Sequence, residues 1–338
     1  MAIVWSVVGI LICGGLGGLA AWALVTTLGW DGTPGAIAAA IVGRVLSVAL
    51  WTGDHGDAAR NRAHSLTMFD VAELATRLIA AHDSAQTIAP ITAEAPDFDV
   101  VAAYDVLAEI QRRRRAQGWT PVGRKIGFTN RTIWSRYGVY EPMWAHIWAH
   151  SVQHSRDGRA VQSLDGFVQP RIEPEVVFCL GGPVSGDDDA HGILRGVRWI
   201  AAGFEIVQSH FPEWKFKAPD CTAAFGLHAA LVVGTPVPVT DANRAALAGA
   251  LPTFALTLRR GDTVIDCGVG ANVLDSPALA LAHLARVLDG QPQGAPLAAG
   301  EIVTTGTVTD AWPVARGEVW ASDYGDLGLP GLRLAFSY

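Results

Sequence analysis

Hydrophobic and polar positions alternate along this chain in three distinct textures. The first 52 residues are almost wholly apolar: they contain no Lys or Glu, and Asp31 and Arg44 are their only charged side chains. Residues 3–28 form a run long enough to cross a bilayer, which takes about 20 residues. The cluster Gly14-Gly15-Leu16-Gly17-Gly18 would let a second helix approach closely. A turn over 29–35 leads into a second apolar run, 36–51, interrupted by Arg44. The pattern predicts a transmembrane helical hairpin over residues 1–52, a membrane anchor with Trp5, Trp30 and Trp51 near the interfaces. It lacks the basic n-region of a cleavable signal peptide and exceeds the usual h-region. Arg44, Arg60 and Arg62 put the downstream side, and the catalytic part with it, in the cytoplasm. Met68 is an alternative start that would leave the extension out of the working protein.

The second texture is helical. Residues 53–66 are a polar linker rich in Asp, Arg, Asn and His. Residues 69–81 then carry apolar side chains at helical spacing, and so do residues 98–117, with Val101, Tyr104, Leu107 and Ile110 on one side. The second helix ends in Arg112-Arg113-Arg114-Arg115, which reads as a solvated last turn complementing the helix dipole. Residues 67–130 are thus a helical N-terminal part of a catalytic unit.

After Gly118 the runs shorten to strand length. Strands are predicted at 121–128, 170–180, 199–207, 229–234, 302–305, 318–321 and 332–338. Residues 254–259 and 263–267 bracket Arg260-Gly261-Asp262 as a hairpin. Between the strands, Ser185 caps a helix starting at Asp187-Asp188-Asp189, and Ser276-Pro277 opens a helix to Leu288. Residues 131–152 read as an aromatic-rich loop and short helix, with His146, His150 and His154 at helical spacing. No Cys or acid completes a soft-metal set around these histidines. The whole implies an α+β chain with a β-rich metal-binding catalytic domain over 131–338.

Composition narrows the function. The chain has 338 residues, enough for one large or two smaller domains with a real core. A formal charge of -7 excludes nucleic acid as the main partner, because phosphate binding needs a basic face. Cys13, Cys179, Cys221 and Cys267 are scattered without metal spacing and read as reduced, buried thiols. Gly268-Val269-Gly270 lacks the third glycine and the βαβ setting of a dinucleotide fingerprint.

The candidate chemistry lies in three acids. In a strand, Glu173 and Glu175 share a face with Cα atoms about 6.5 Å apart. Such neighbours are costly unless protons or a cation neutralise them, and carboxylates are the ligands of hard ions. Glu205, alone in an apolar run, needs a partner, and a shared metal would be one. Lys125 sits between the bare positions Gly123 and Gly127, which suggests that something approaches the backbone there.

Several segments in one order carry a family resemblance: Gly123-Arg124-Lys125-Ile126-Gly127-Phe128-Thr129-Asn130, Gly138-Val139-Tyr140-Glu141-Pro142, Arg171-Ile172-Glu173-Pro174-Glu175, Phe204-Glu205-Ile206-Val207, and Thr305-Gly306-Thr307 with Trp312-Pro313-Val314. From about Phe69 onward the chain resembles the 2-keto-4-pentenoate hydratase and 4-oxalocrotonate decarboxylase group of the fumarylacetoacetate hydrolase superfamily. The resemblance implies a mixed β-rich fold with a helical N-terminal part, and Mg2+ or Mn2+ held by Glu173, Glu175 and Glu205. It puts Lys125 at the substrate and Thr305, Gly306 and Thr307 near the substrate's carboxylate, and it retains Asp220 as a catalytic residue. The group commonly shows Ala-Asp-Asn-Ala-Ser where this chain has Pro219-Asp220-Cys221-Thr222-Ala223, so the Asn and Ser are missing.

The implied function is hydration of a 2-hydroxydienoate or 2-keto-enoate acid in aromatic meta-cleavage catabolism, by a homo-oligomer. Lys125 would carry a lowered pKa and move a proton. Alternatives are a 4-oxalocrotonate-type decarboxylase, a C–C bond acyl hydrolase using His146 or His150 with Glu141, and a membrane-tethered keto-acid-binding protein without turnover.

Overall fold

The computed structural model describes residues 69–337. The predicted membrane hairpin and the linker after it lie outside them. Among the described residues, no helix is long and apolar enough to cross a membrane.

Helices form where the apolar period is close to 3.6. They are α1 (Val71–Asp83), the single turn α2 (Ile91–Glu94) and α3 (Val100–Ala116). Helix α3 starts where Asp99 accepts a hydrogen bond from the Ala102 amide, and it buries Ala103, Val106, Leu107 and Ile110. Val101, predicted on that face, is 50% exposed. Steps of three residues lag about 60° behind the helix each time, so Val101 and Ile110 end on opposite sides. The same arithmetic brings Arg114 inward. It is 3% exposed rather than solvated, pairs with Asp83, donates to Gln117 at 2.9 Å, and lies 4.2 Å from the Trp119 ring centroid.

The remaining helices are α4 (Trp134–Tyr137), α5 (Ala190–Arg195), α6 (Ala218–Ala223), α7 (Arg244–Ala250) and α8 (Pro277–Gly290). Ser276 caps α8 as predicted. Helix α5 instead takes Asp189 as its cap, accepting from the Gly192 amide. Ser185 belongs to a separate turn closed by Asp188.

The strands are β1 (Pro121–Gly127), β2 (Met143–Trp148), β3 (Val152–His154), β4 (Arg159–Ser163), β5 (Arg171–Leu180), β6 (Val197–Val207) and β7 (His228–Val233). They continue with β8 (Val237–Pro238), β9 (Ala255–Arg260), β10 (Thr263–Val269), β11 (Ile302–Thr304), β12 (Trp312–Pro313), β13 (Val319–Asp323) and β14 (Leu332–Ser337). Nine strands form one sheet in the order β2-β1-β11-β5-β6-β7-β3, with β12 beside β5 and β8 beside β6. A five-stranded sheet runs β10-β9-β13-β14-β4. One core joins Phe178 and Phe204 of the large sheet to Trp320 and Phe336 of the small one and to Leu281 and Leu284 of α8.

Two sequence expectations change here. Residues 143–148 are a strand, so His146 lies on β2, His150 in a 3-10 turn and His154 on β3, not on one helix face. Every residue of β2 is buried, which erases the alternation that betrays a half-wet strand. Cys179 and Cys221 are buried free thiols, but Cys267 is exposed on the hairpin. As for the bare positions on β1, the chain itself fills them. A Cβ on Gly123 would lie 1.7 Å from the Ile302 carbonyl oxygen, and one on Gly127 would lie 2.8 Å from Met143 Cε.

Tyr324, fully buried behind β13, ties the small sheet to the middle of the large one. Its hydroxyl donates to the Glu175 carbonyl at 2.6 Å and accepts from the Gly203 amide at 3.3 Å, and these two residues face each other across β5 and β6. Tyr324→Phe strands both backbone groups, so urea denaturation should show a loss of about 1–3 kcal/mol. An unchanged midpoint would refute the tie.

Candidate metal and substrate site

Antiparallel pairing of β5 with β6 sets Glu173 directly opposite Glu205, and Glu175 follows two residues along on the same face of β5. One carboxylate oxygen from each of the three lies within 4.8 Å of the others. Glu175 and Glu205 are fully buried. Lys125, 3% exposed on β1, brings its Nζ to 3.2 Å from Glu205 Oε2. Gly306 donates its amide to Glu175 Oε2 at 2.7 Å. Its φ is +93°, and a Cβ there would lie 1.9 Å from Thr129 Oγ1, so only glycine suits this turn.

Burial in common dominates the electrostatics. It pushes Glu173 up to about 7, with Lys125 pulling the other way and Glu205 adding to the rise. Burial, Glu205 and Glu173 raise Glu175 well above the usual carboxylate range. Burial also works against ionised Glu205, but Lys125 and His228 outweigh it and hold that group at about 2. For Lys125, burial favours the neutral amine, yet the attraction of Glu205, Glu173 and Glu175 wins and the ammonium is stabilised. Three acids surround one base.

A divalent cation fits the donor set. Three carboxylates face one ammonium: Glu205 Oε2 has the Lys125 Nζ contact, and the buried Glu175 Oε1 accepts no hydrogen bond. Oxygen donors with excess negative charge are what a hard ion such as Mg2+ takes.

A cavity of about 180 Å³ opens beside the cluster, lined by Lys125, Glu173, Gly306 and Thr307 together with Tyr137, Trp214 and Phe216. Of the predicted substrate turn, Gly306 and Thr307 line it. Thr305 turns its hydroxyl to the Val176 carbonyl at 3.0 Å. Asp220 does not line the cavity. Its carboxylate accepts from the Thr92 amide at 2.9 Å, the Thr92 hydroxyl at 2.6 Å and the Lys217 amide at 2.9 Å, which fastens the start of α6 to α2. The acyl-hydrolase pair is not assembled: His146 sits between Trp144 and Trp148, His150 lies against Trp119, and neither they nor Glu141 line the cavity.

Sequence reasoning missed His228. Its Nδ1 is 2.7 Å from Glu205 Oε1 and its Nε2 is 2.8 Å from Ser151 Oγ, so it fixes the orientation of the third acid. The signal was a single polar residue opening the apolar run 229–234, one strand away from Glu205.

With this geometry in view, comparison with known proteins identifies the class. No family profile matches the chain. It is 32% identical over 244 residues to 2-hydroxyhexa-2,4-dienoate hydratase of Comamonas testosteroni, covering 72% of this chain and 89% of the relative. It is 30% identical over 256 residues to 4-oxalocrotonate decarboxylase of Pseudomonas sp. strain CF600, covering 75% and 92%. Among solved structures, 4-oxalocrotonate decarboxylase from Pseudomonas putida G7, complexed with magnesium and adipate, superposes with a TM-score of 0.71 at 25% identity, over 79% of this chain and 97% of that one. The fold is that of the fumarylacetoacetate hydrolase superfamily. Within it, the chain belongs to the 2-keto-4-pentenoate hydratase and 4-oxalocrotonate decarboxylase group.

Two outcomes check the site. A cation must displace the proton that Glu173 holds up to about 7. Mg2+ affinity by calorimetry should therefore climb as pH rises through about 7. A flat profile contradicts the cluster as ligand set. Asp220→Asn should cost about 1–3 kcal/mol in stability, because buried donors lose their acceptor, while Mg2+ affinity stays within about threefold. Loss of binding without loss of stability would return Asp220 to the site.

Proposed function

We propose that the chain is a hydro-lyase that adds water to a 2-hydroxydienoic or 2-oxoenoic acid, with Mg2+ or Mn2+ held by Glu173, Glu175 and Glu205. The observation that carries this reading is the convergence of those acids with Lys125 beside one cavity. The names of the relatives and the magnesium in the P. putida structure support it. The ion, when bound, supplies Lewis-acid stabilisation of negative charge on the substrate's 2-oxygen.

The chain's own groups do the rest. The Lys125 ammonium, kept charged by its acidic neighbours, donates hydrogen bonds to oxygen and holds a proton at Nζ for return to carbon. Thr307, beside Gly306, offers a hydroxyl to the substrate carboxylate. Tyr137, Trp214 and Phe216 keep bulk water from the conjugated tail. Asp220 acts as a positioning residue through α6, whose Cys221 lines the cavity.

Decarboxylation is the second reading, favoured by the likeness to 4-oxalocrotonate decarboxylase, since loss of CO2 leaves the same enolate for the site to stabilise. Residues 1–52 are proposed as a membrane tether for a catalytic unit on the cytoplasmic side, acting as a homo-oligomer. Partitioning of the full chain into the aqueous phase on detergent phase separation would refute the tether.

With Mg2+ and a 2-hydroxydienoate, diene absorbance should fall without CO2 release. CO2 release would establish the decarboxylase instead. Lys125→Met should lower kcat by about 10²- to 10⁴-fold while Mg2+ binding persists, because removing the cation leaves the acid cluster more electronegative. Full activity in that variant would remove Lys125 from the mechanism.

A further inference from the structure

A second cavity, of about 330 Å³, shares no lining residue with the first and takes no part in the proposed reaction. Its walls come from the end of α1, the turn after β2, and strands β3, β4 and β7. The flat side chains of Trp119, Phe167, His82 and His150 line it. Among the described residues, no Lys, Arg, Asp or Glu does. Burial holds His82 down at about 4 and lowers His150 as well, so both imidazoles are neutral at pH 7. Arg114, 3.3 Å from His82 Nδ1, is already paired with Asp83. A carboxylate entering this cavity would shed water and gain no counter-ion.

Three glutamines supply its polarity, and their partners fix which way each amide is turned. The Gln208 oxygen accepts from the Val168 amide at 3.0 Å, a group that can only donate. Gln208 is 3% exposed and lines the cavity, and its NH2 has no partner among the described residues. The Ser163 carbonyl can only accept, so Gln162 donates to it at 2.8 Å and takes the Gln153 NH2 on its own oxygen at 2.6 Å. That leaves the Gln153 oxygen without a donor among the described residues. A buried amide left unpaired calls for an explanation, because each such group costs stability. One unspent donor and one unspent acceptor, set among rings and free of charge, match a phenolic hydroxyl, which accepts and donates at one atom. A cavity of about 150 Å³ already takes benzene, so this one has room for a substituted ring.

The same strands carry both cavities. Ala229 and Ala230 line the second one and follow His228 on β7, while Gln208 comes directly after β6, three residues beyond Glu205. Ser151 also lines it, and Ser151 Oγ lies 2.8 Å from His228 Nε2, whose ring reaches Glu205 Oε1 at 2.7 Å. We propose that the second cavity is an effector site for an uncharged, hydroxylated aromatic molecule, and that its occupant changes metal affinity through Ser151 and His228. The coupling rests on the reading of Glu205 as a metal ligand. The binding site does not. Because coupling between two sites is reciprocal, the metal must change phenol affinity by the same factor that phenol changes metal affinity.

The test is calorimetry on the full chain with phenol and with benzoate, each with and without Mg2+. Phenol should bind at least about tenfold more tightly than benzoate, which brings the same ring with a charge. Saturating phenol should change the Mg2+ Kd at least about fivefold, and saturating Mg2+ the phenol Kd equally. Gln208→Met, which keeps the volume and loses the donor, should weaken phenol at least about fivefold. Gln153→Leu removes the acceptor instead, to similar effect, and serves if the first variant does not fold. Ser151→Ala should keep phenol binding and bring the coupling factor to about one. Absence of phenol binding, or benzoate binding as tightly, overturns the site. Phenol binding unchanged in both glutamine variants places the ring elsewhere, against Trp214 and Phe216 for example, and overturns it too. Phenol binding that leaves Mg2+ affinity unmoved overturns the coupling. Failure of Mg2+ to bind at all overturns the proposed metal site and, with it, the coupling, while the phenol arm still decides the cavity.

Discussion

Three carboxylates and one ammonium share a buried place, and that repulsion is the constraint around which the structure is arranged. The register of β5 against β6 makes it unavoidable, because Glu173 and Glu205 are cross-strand partners and Glu175 is the next residue on that face. Like charges opposite one another weaken a sheet. Here they also occupy its middle, flanked by β11 on one side and β7 on the other. A strand pair with this sequence keeps its register only if something positive compensates. Lys125 compensates for one charge. A hard dication would compensate for the remainder.

The surrounding contacts hold that tension in one geometry. Each acid has a different keeper: the Gly306 amide for Glu175, His228 and Lys125 for Glu205, and the neighbouring cavity for Glu173. Behind the pair, Tyr324 spans the backbone between Glu175 and Gly203. Glu173, with the fewest hydrogen-bond partners of the three among the described residues, is the acid that lines the cavity.

Much of this was legible in the sequence where local rules decide the outcome. The 170–180 and 199–207 runs became β5 and β6, and the alternation of Glu173 and Glu175 carried directly into a shared face. Helix α8 began at Ser276 as the Ser-Pro pair dictates. Legibility failed where long-range packing decides. Nothing near position 228 announces that His228 meets Glu205, because the meeting depends on the pairing of β6 with β7. Asp220 reads like a site residue from its motif, yet its oxygens are taken by Thr92, which is 128 positions away. Fully buried β2 showed no period, so its histidines passed for a helix face. Lys125 lies against Glu205, where burial alone would favour the neutral amine and the surrounding acids favour the ammonium, a balance that local sequence does not show.

The missing side chain at Gly123 limits how this pocket can be redesigned. A methyl there would run into the Ile302 carbonyl, a main-chain atom that no exchange of neighbouring residues removes. Strand β1 therefore cannot be bulked up at that point without sliding away from β11, and Lys125 travels with it, two residues along. Room for a larger guest has to be carved from the aromatic wall, since on the lysine side a single hydrogen atom sets how near the two backbones lie.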